Sequence, residues 1–226
     1  MRILVVAATS EEIAPLVARL SRASDSGGRV QHSIYANHYV DVLITGVGMV
    51  ATAAWCSQVM TRTSYDLGLN FGLCGSFDGA LALGTVVHVV ADRLAELGAE
   101  DRDAFLTIQQ LRLLEDDEFP FTRGELVNAH PPANAALSRL SAVNGITVNT
   151  VHGNARSIAA VTERFKPRVE SMEGAAFMYA CLIHGVPFAQ VRAVSNAVEP
   201  RNRDAWRIDD AIRNLGAAAV GILECA

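Results

Sequence analysis

The sequence predicts an α/β protein: a three-layer α/β/α sandwich around a mixed, largely parallel central sheet. Two observations carry that expectation. Short apolar runs rich in β-branched residues alternate with helix-period segments along most of the chain, which is the pattern of successive βα units. Only 19% of residues are charged and 50% are hydrophobic, against ~25% charged in a typical soluble domain. Much of the chain must therefore be buried, as in a sheet covered on both faces. A chain of 226 residues fits one domain spanning 1–226.

The elements follow in order. Arg2 to Ala8 reads as a buried strand. Thr9 and Ser10 can cap a helix with Glu11 and Glu12 in its first turn, and Ile13, Leu16, Val17 and Leu20 keep helical spacing. Gly27-Gly28 marks a turn, and Val40 to Thr45 a strand. Gly46-Val47-Gly48 opens a helix from Met49 to about Met60. Leu67 to Phe71 is a strand, Gly72 to Ser76 a loop, and Thr85 to Val90 a strand. Ala91 to Asn128 is the least regular stretch, read as a surface flap or an oligomer contact. Pro131-Pro132 is expected to start a helix. Ile146 to Val151 reads as a strand and Ser157 to Arg164 as a helix. Met172 to His184, apolar on nearly every face, is a buried helix ended by Gly185 and Pro187. Pro187 to Val194 returns to the sheet, Ser195 to Arg203 is a polar loop, and Ala205 to Leu223 a final helix. In such sheets ligands bind beyond the carboxyl ends of the strands. The polar or glycine-bearing segments Thr9–Glu12, Gly72–Ser76, Thr150–Asn154, Ser171–Glu173 and Ser195–Arg203 belong there.

Several function classes are disfavoured. The net charge is -5 and no Lys/Arg block stands out, so no nucleic-acid partner is expected. The N-terminal apolar run Ile3 to Ala8 is too short to span a bilayer or act as a signal core, so no membrane partner is expected and the default location is the cytoplasm. Cys56, Cys74, Cys181 and Cys225 form no C-x-x-C pair and read as free thiols. Six scattered histidines lack metal-ligand spacing, so no metal is expected. The glycine turns lack a following Gly-Lys-Ser/Thr, and Gly46-Val47-Gly48-Met49-Val50-Ala51 lacks the third dinucleotide-binding glycine. No cofactor is expected.

Glu173 is the most informative residue, because it opens a helix that is otherwise apolar. A carboxylate at a helix N-terminus is favoured by the dipole alone. It also suits a sugar diol, since an ionised carboxylate only accepts hydrogen bonds, and Met172 beside it offers a polarizable surface to the ring. Glu12 stands directly after the first strand. It is either a first-turn carboxylate, a role Glu11 fits equally, or a general base that activates water.

The segments VVAATSEE, GVGMVATAA, NFGLCGSF, TVHGNARS, VESMEGAAF and VRAVSNAVE together resemble the nucleoside phosphorylase and nucleosidase superfamily. The order and spacing, ending in SMEGAA and VRAVSN, carry most of that resemblance. Phosphorylases of the superfamily hold phosphate with an arginine-bearing Gly-Asp-Pro loop after the first strand; here Ala8 to Glu12 stands instead, as in the branch typified by methylthioadenosine/adenosylhomocysteine nucleosidases. The resemblance implies Glu12 as base, Glu173 and Met172 on the ribose, and Arg192 near the attacking water. It also implies a base pocket of Cys74, Gly75 and Val151, with Trp206 covering the 5' substituent. Adenine-specific nucleosidases carry an aspartate where Asn196 stands. An amide donates to N7 or O6 but is no acid, so Asn196 points to a 6-oxopurine.

VESMEGAAFMYA, TVHGNA and SNAVEPRNRDAW are similar to the futalosine hydrolase family of the menaquinone pathway. Its substrate is an inosine-like nucleoside with a carboxylated aromatic tail at the 5' end, and it releases hypoxanthine. Trp206 would wall such a tail, and Arg201 or Arg203 would meet its carboxylate; both arginines equally suit a solvated loop. The expected partners are thus a nucleoside and water. The alternatives are a methylthioadenosine-type or inosine-type nucleosidase or phosphorylase, and a nucleoside-binding module without catalysis. Because relatives complete their 5' pockets with a neighbouring subunit, a homodimer or higher homo-oligomer is expected.

Overall fold

The computed structural model describes residues 1–24 and 29–226. Its strands are β1 (Arg2–Ala7), β2 (Ser21–Ser24), β3 (Val30–Tyr35), β4 (His38–Ile44), β5 (Leu67–Ser76), β6 (Val86–Leu94), β7 (Gly98–Asp101), β8 (Ala104–Thr107), β9 (Leu126–Val127), β10 (Ser141–Thr147), β11 (Val169–Ser171) and β12 (Phe188–Ala197). Its helices are α1 (Ser10–Val17), α2 (Met49–Arg62), α3 (Ala155–Phe165), α4 (Gly174–His184) and α5 (Ile208–Glu224). None is long and apolar enough to cross a membrane among the described residues.

β1 is buried because it lies between two parallel neighbours, β4 and β5. Its successive side chains point to opposite faces. Ile3, Val5 and Ala7 meet Ile13 and Leu16 of α1 and Leu215 and Ala219 of α5. Leu4 and Val6 meet Cys56 of α2 and Phe177 and Cys181 of α4. Helices thus pack on both faces of this part of the sheet, which is why its strands read as continuous apolar runs.

The sheet is mixed. Parallel pairing joins β4, β1, β5 and β12, and separately β6, β10 and β11. Antiparallel pairing joins the two sets at β12–β6 and β11–β5, and adds the edge ribbon β4–β3–β2 and the short β9. Because β11 bonds both β10 and β5, the five strands β5, β12, β6, β10 and β11 close into a ring. Cys74, Val87, Val89, Val143, Val169 and Val194 form a cluster of their own on those strands.

Several local expectations are corrected by pairing. Gly72 to Ser76 is not a loop but the end of β5, held extended by β12 along its length and by β11 at Gly75 and Ser76. Ser195 to Ala197 likewise belongs to β12, with Asn196 and Ala197 paired to Gly75 and Ser76. No α-helix follows Pro131-Pro132. The Asn134 side chain accepts from the Ala136 and Leu137 amides and donates to the Ile222 carbonyl at 2.8 Å, so the segment is tied to α5 and coils only through a 3₁₀ turn at Leu137–Arg139. β10 lies earlier than Ile146–Val151, because the Asn149 and Thr150 amides bond the Glu96 carboxylate instead of a strand. The irregular stretch 91–128 holds the end of β6, the β7–β8 hairpin and β9. The turn expected at Gly27-Gly28 lies outside the described residues.

Candidate active site

The carboxyl ends of β1, β4, β5 and β12 and the turn after β11 surround a cavity of about 390 Å³, within the ~300–1,000 Å³ usual for small-ligand pockets. All five segments expected at the ligand edge reach it or the smaller recess beside it.

Glu12 is positioned by its own helix start. Thr9 caps α1 in a reciprocal box: the Glu12 amide donates to the Thr9 hydroxyl, and Glu12 Oε2 accepts from the Thr9 amide at 3.0 Å. Oε1 accepts from the Leu73 amide at 3.0 Å, at the end of β5. Glu11 lines the cavity too, but it is exposed and accepts from the Ser10 hydroxyl, whereas Glu12 is half-buried and tied to the end of β5.

Glu173 stands at the N-terminus of α4, yet its side chain caps nothing there. Oε1 accepts from the Gly48 amide at 2.9 Å, across from another βα turn. Gly48 has φ +99°, a conformation that only glycine adopts without strain, and it turns this N–H toward the cavity. Burial raises the Glu173 carboxyl above its ordinary value; Arg192 and the Gly48 amide oppose that rise and Glu12 adds to it. The two carboxylates are thus electrostatic neighbours.

Arg192 does not line the cavity. It is 1% exposed and lies behind Gly72. A Cβ on Gly72 would collide with Arg192 Nη1 and sit 3.3 Å from Glu12 Oε1, so the absent side chain lets the guanidinium approach Glu12. Arg192 Nη2 donates to Asn70 Oδ1, and Nε to Gln190 Oε1 at 3.2 Å. Gln190 in turn donates to Asp92 at 3.0 Å, and Thr147 donates to Asp92 at 3.0 Å while accepting from the Ala175 amide of α4. One buried polar chain therefore links the arginine to the helix that carries Glu173.

Asn196, Cys74, Gly75, Val151, Met172 and Trp206 all line the same cavity. Asn196 Oδ1 accepts from the Ser195 hydroxyl at 2.8 Å, and Nδ2 donates to the Ala197 carbonyl at 2.9 Å. One N–H of the amide remains for a ligand. Burial pushes the Cys74 thiol up to about 12, so it is a neutral apolar wall and not a nucleophile. Arg201 lines the adjoining recess with Trp206. Arg203 is exposed and lines neither space, although both guanidinium carbons lie 5.6 Å from the Trp206 ring centre.

A family model for the Phosphorylase superfamily matches residues 2–224. A futalosine hydrolase of Streptomyces coelicolor is 37% identical over 189 residues, covering 81% of this chain and 77% of the relative. The chain belongs to the phosphorylase superfamily, in its futalosine hydrolase family. A second family member, from Acidothermus cellulolyticus, is 31% identical over 226 residues, covering 97% and 89% of the two chains. The native futalosine hydrolase of Helicobacter pylori shares the fold, with a TM-score of 0.81 at 15% identity over 99% and 97% of the two chains.

Two site features of this family member escaped sequence reasoning. Glu170 and His152 form a close pair, with Oε2 and Nδ1 2.6 Å apart, and Glu170 lines the cavity. Glu170 stood within a quoted motif, but nothing in its spacing aims it at His152, 18 positions earlier. The Asp92–Gln190–Arg192 chain joins residues nearly a hundred positions apart and has no local signature.

Proposed function

We propose that this protein, acting as a single nucleosidase domain over 1–226, hydrolyses the N-glycosidic bond of futalosine. Hypoxanthine leaves, and dehypoxanthine futalosine passes on toward menaquinone. The observation that carries this reading is that Glu12 and Glu173 share one cavity with Asn196. In the mechanism, Glu173 accepts hydrogen bonds from the ribose hydroxyls, with Met172 against the ring. Asn196 donates to N7 or O6 of the base, which rests among Cys74, Gly75 and Val151. As the glycosidic bond lengthens, its electron pair passes to the base, which Asn196 stabilises by hydrogen bonding until it takes a proton from solvent; positive charge builds on the sugar, and the two carboxylates stabilise it. A water held by Glu12 loses its proton to that carboxylate and attacks the anomeric carbon. Arg192, behind Gly72, offsets the two nearby negative charges.

The tail of the substrate lies against Trp206, and Arg201 meets its carboxylate; Arg201 is better placed than Arg203, because it lines the recess beside the tryptophan. The acceptor is water and not phosphate because Glu12 occupies the edge of the site where an anion would need a cation. The enzyme works in the cytoplasm as a homodimer or higher homo-oligomer.

Side-by-side chromatography of products from futalosine, inosine and methylthioadenosine tests this, with wild type and Glu12→Gln. Hypoxanthine from futalosine without added phosphate is expected, with turnover falling by ~10²–10⁴-fold in the variant while substrate binding persists. Adenine from methylthioadenosine as the main product, ribose 1-phosphate formation, or binding without turnover would each replace the reading.

A further inference from the structure

The mechanism above leaves one buried ionisable group of the cavity without a task. Glu170 is 3% exposed, yet it lines both the main cavity and the adjoining recess. Strand register fixes where its side chain points. Glu170 of β11 pairs with Gly75 of β5, and Gly75 pairs on its other side with Asn196 of β12. Residues level with one another on neighbouring strands project from the same face. Glu170 and Asn196 therefore flank Gly75, two strand spacings or ~9–10 Å apart at the backbone. A Cβ built on Gly75 would lie 3.2 Å from Asn196 Nδ2 and 3.5 Å from Glu170 Cγ. The missing side chain leaves a flat floor between an amide and a carboxylate.

Glu170 is also held as an acceptor. Oε1 accepts from the His152 amide at 3.0 Å, and Oε2 lies 2.6 Å from His152 Nδ1. Each carboxylate oxygen has a further lone pair. A 6-oxopurine presents O6 and N7 as acceptors along one edge and the N1–H donor beside them. A 6-aminopurine has a bare N1 lone pair at that place. Opposite a carboxylate, the first makes a hydrogen bond and the second meets repulsion.

Building on the futalosine reading, we propose that Glu170 accepts the N1–H of the base while Asn196 donates to its other edge, so that Glu170 selects 6-oxopurines against 6-aminopurines. Asn196 alone discriminates weakly, since its N–H can reach N7 in either base. The Glu170 carboxylate supplies the stronger choice, because a mismatched buried polar pair is penalised more than a matched one is rewarded.

The test compares kcat/KM for futalosine and for its 6-amino analogue, which has the same sugar and tail. In Glu170→Leu, futalosine is expected to lose about 10- to 100-fold, while the 6-amino analogue changes by less than about threefold or improves. A second measurement uses the unaltered protein: N1-methylhypoxanthine should compete at least about tenfold more weakly than hypoxanthine. Equal losses on both substrates overturn the inference, as does N1-methylhypoxanthine competing as well as hypoxanthine. Wild-type protein that releases hypoxanthine from futalosine but fails these criteria loses only the Glu170 assignment. Wild-type protein that releases none loses the functional reading as well.

Discussion

Glu173 is a carboxylate that burial penalises. Its carboxyl is raised above the ordinary 4.5, chiefly by burial. The folded state therefore holds the proton more tightly than the unfolded chain does. Stability from this group is fully present below the unfolded value and is lost as pH rises through the folded one. Buried Asp92, pushed from 3.8 up to about 6, acts in the same sense. Glu173→Gln should melt higher than wild type, by about 2–4 °C for each kcal/mol recovered, with the gap widening as pH rises above the ordinary 4.5. The same variant should lose ribose binding. A melting difference independent of pH would show that burial of the charge is not what the position costs. The residue was legible as a candidate because a lone carboxylate opening an apolar helix is conspicuous. Its partner Gly48 was not, since a bond between positions 48 and 173 depends on two βα turns meeting.

At the scale of elements, α4 is the clearest case of sequence and structure agreeing. Its residues are apolar on every side because it packs between α2 and the sheet. Phe177 is fully buried and stands edge-on to Phe188 of β12, with ring centres 6.0 Å apart. Phe177→Ala should cost about 3–5 kcal/mol, lowering the melting temperature by roughly 6–20 °C at this chain length. Thermal unfolding followed by circular dichroism reads this directly. A loss under about 1 kcal/mol would mean that the surrounding core collapses to fill the space. β5 is the opposite case. Gly72 to Ser76 carries a loop's composition, yet β12 pairs with all of it, and β11 with Gly75 and Ser76, to hold it as strand. Local propensity is overridden wherever such pairing supplies the backbone's hydrogen bonds. Strands β2 and β3 were unmarked for a related reason: SRAS and VQHSIY contain no apolar run to detect.

For the whole molecule, the prediction concerns assembly. The stretch 91–128 contains the β7–β8 hairpin, and a cavity of about 780 Å³ lies between that hairpin and α3, sharing His152 with the recess beside the active-site cavity. Leu113 and Phe119 on the same stretch are 72% and 70% exposed. Both lie on the stretch expected to meet a partner subunit, where covering them would remove apolar surface from water. Sedimentation should give at least twice the 24.1 kDa chain mass. Leu113→Asp combined with Phe119→Asp should return the protein to a monomer and weaken futalosine binding. A wild-type monomer with full activity would remove the partner subunit from the account.

Alternation of apolar runs and helical segments is a local property, so the chain's α/β class and the main helices were readable from sequence. Motifs nominated Glu12, Glu173 and Asn196, and the fold brings all three to one cavity. Tertiary structure alone decided the rest, because it depends on which distant segments pair. The closing of five strands through β11, the bond from the Leu73 amide to Glu12, and the burial of Arg192 behind Gly72 are such outcomes. Glu170 belongs with them: it became a candidate for base recognition only when strand register set it level with Gly75 and Asn196.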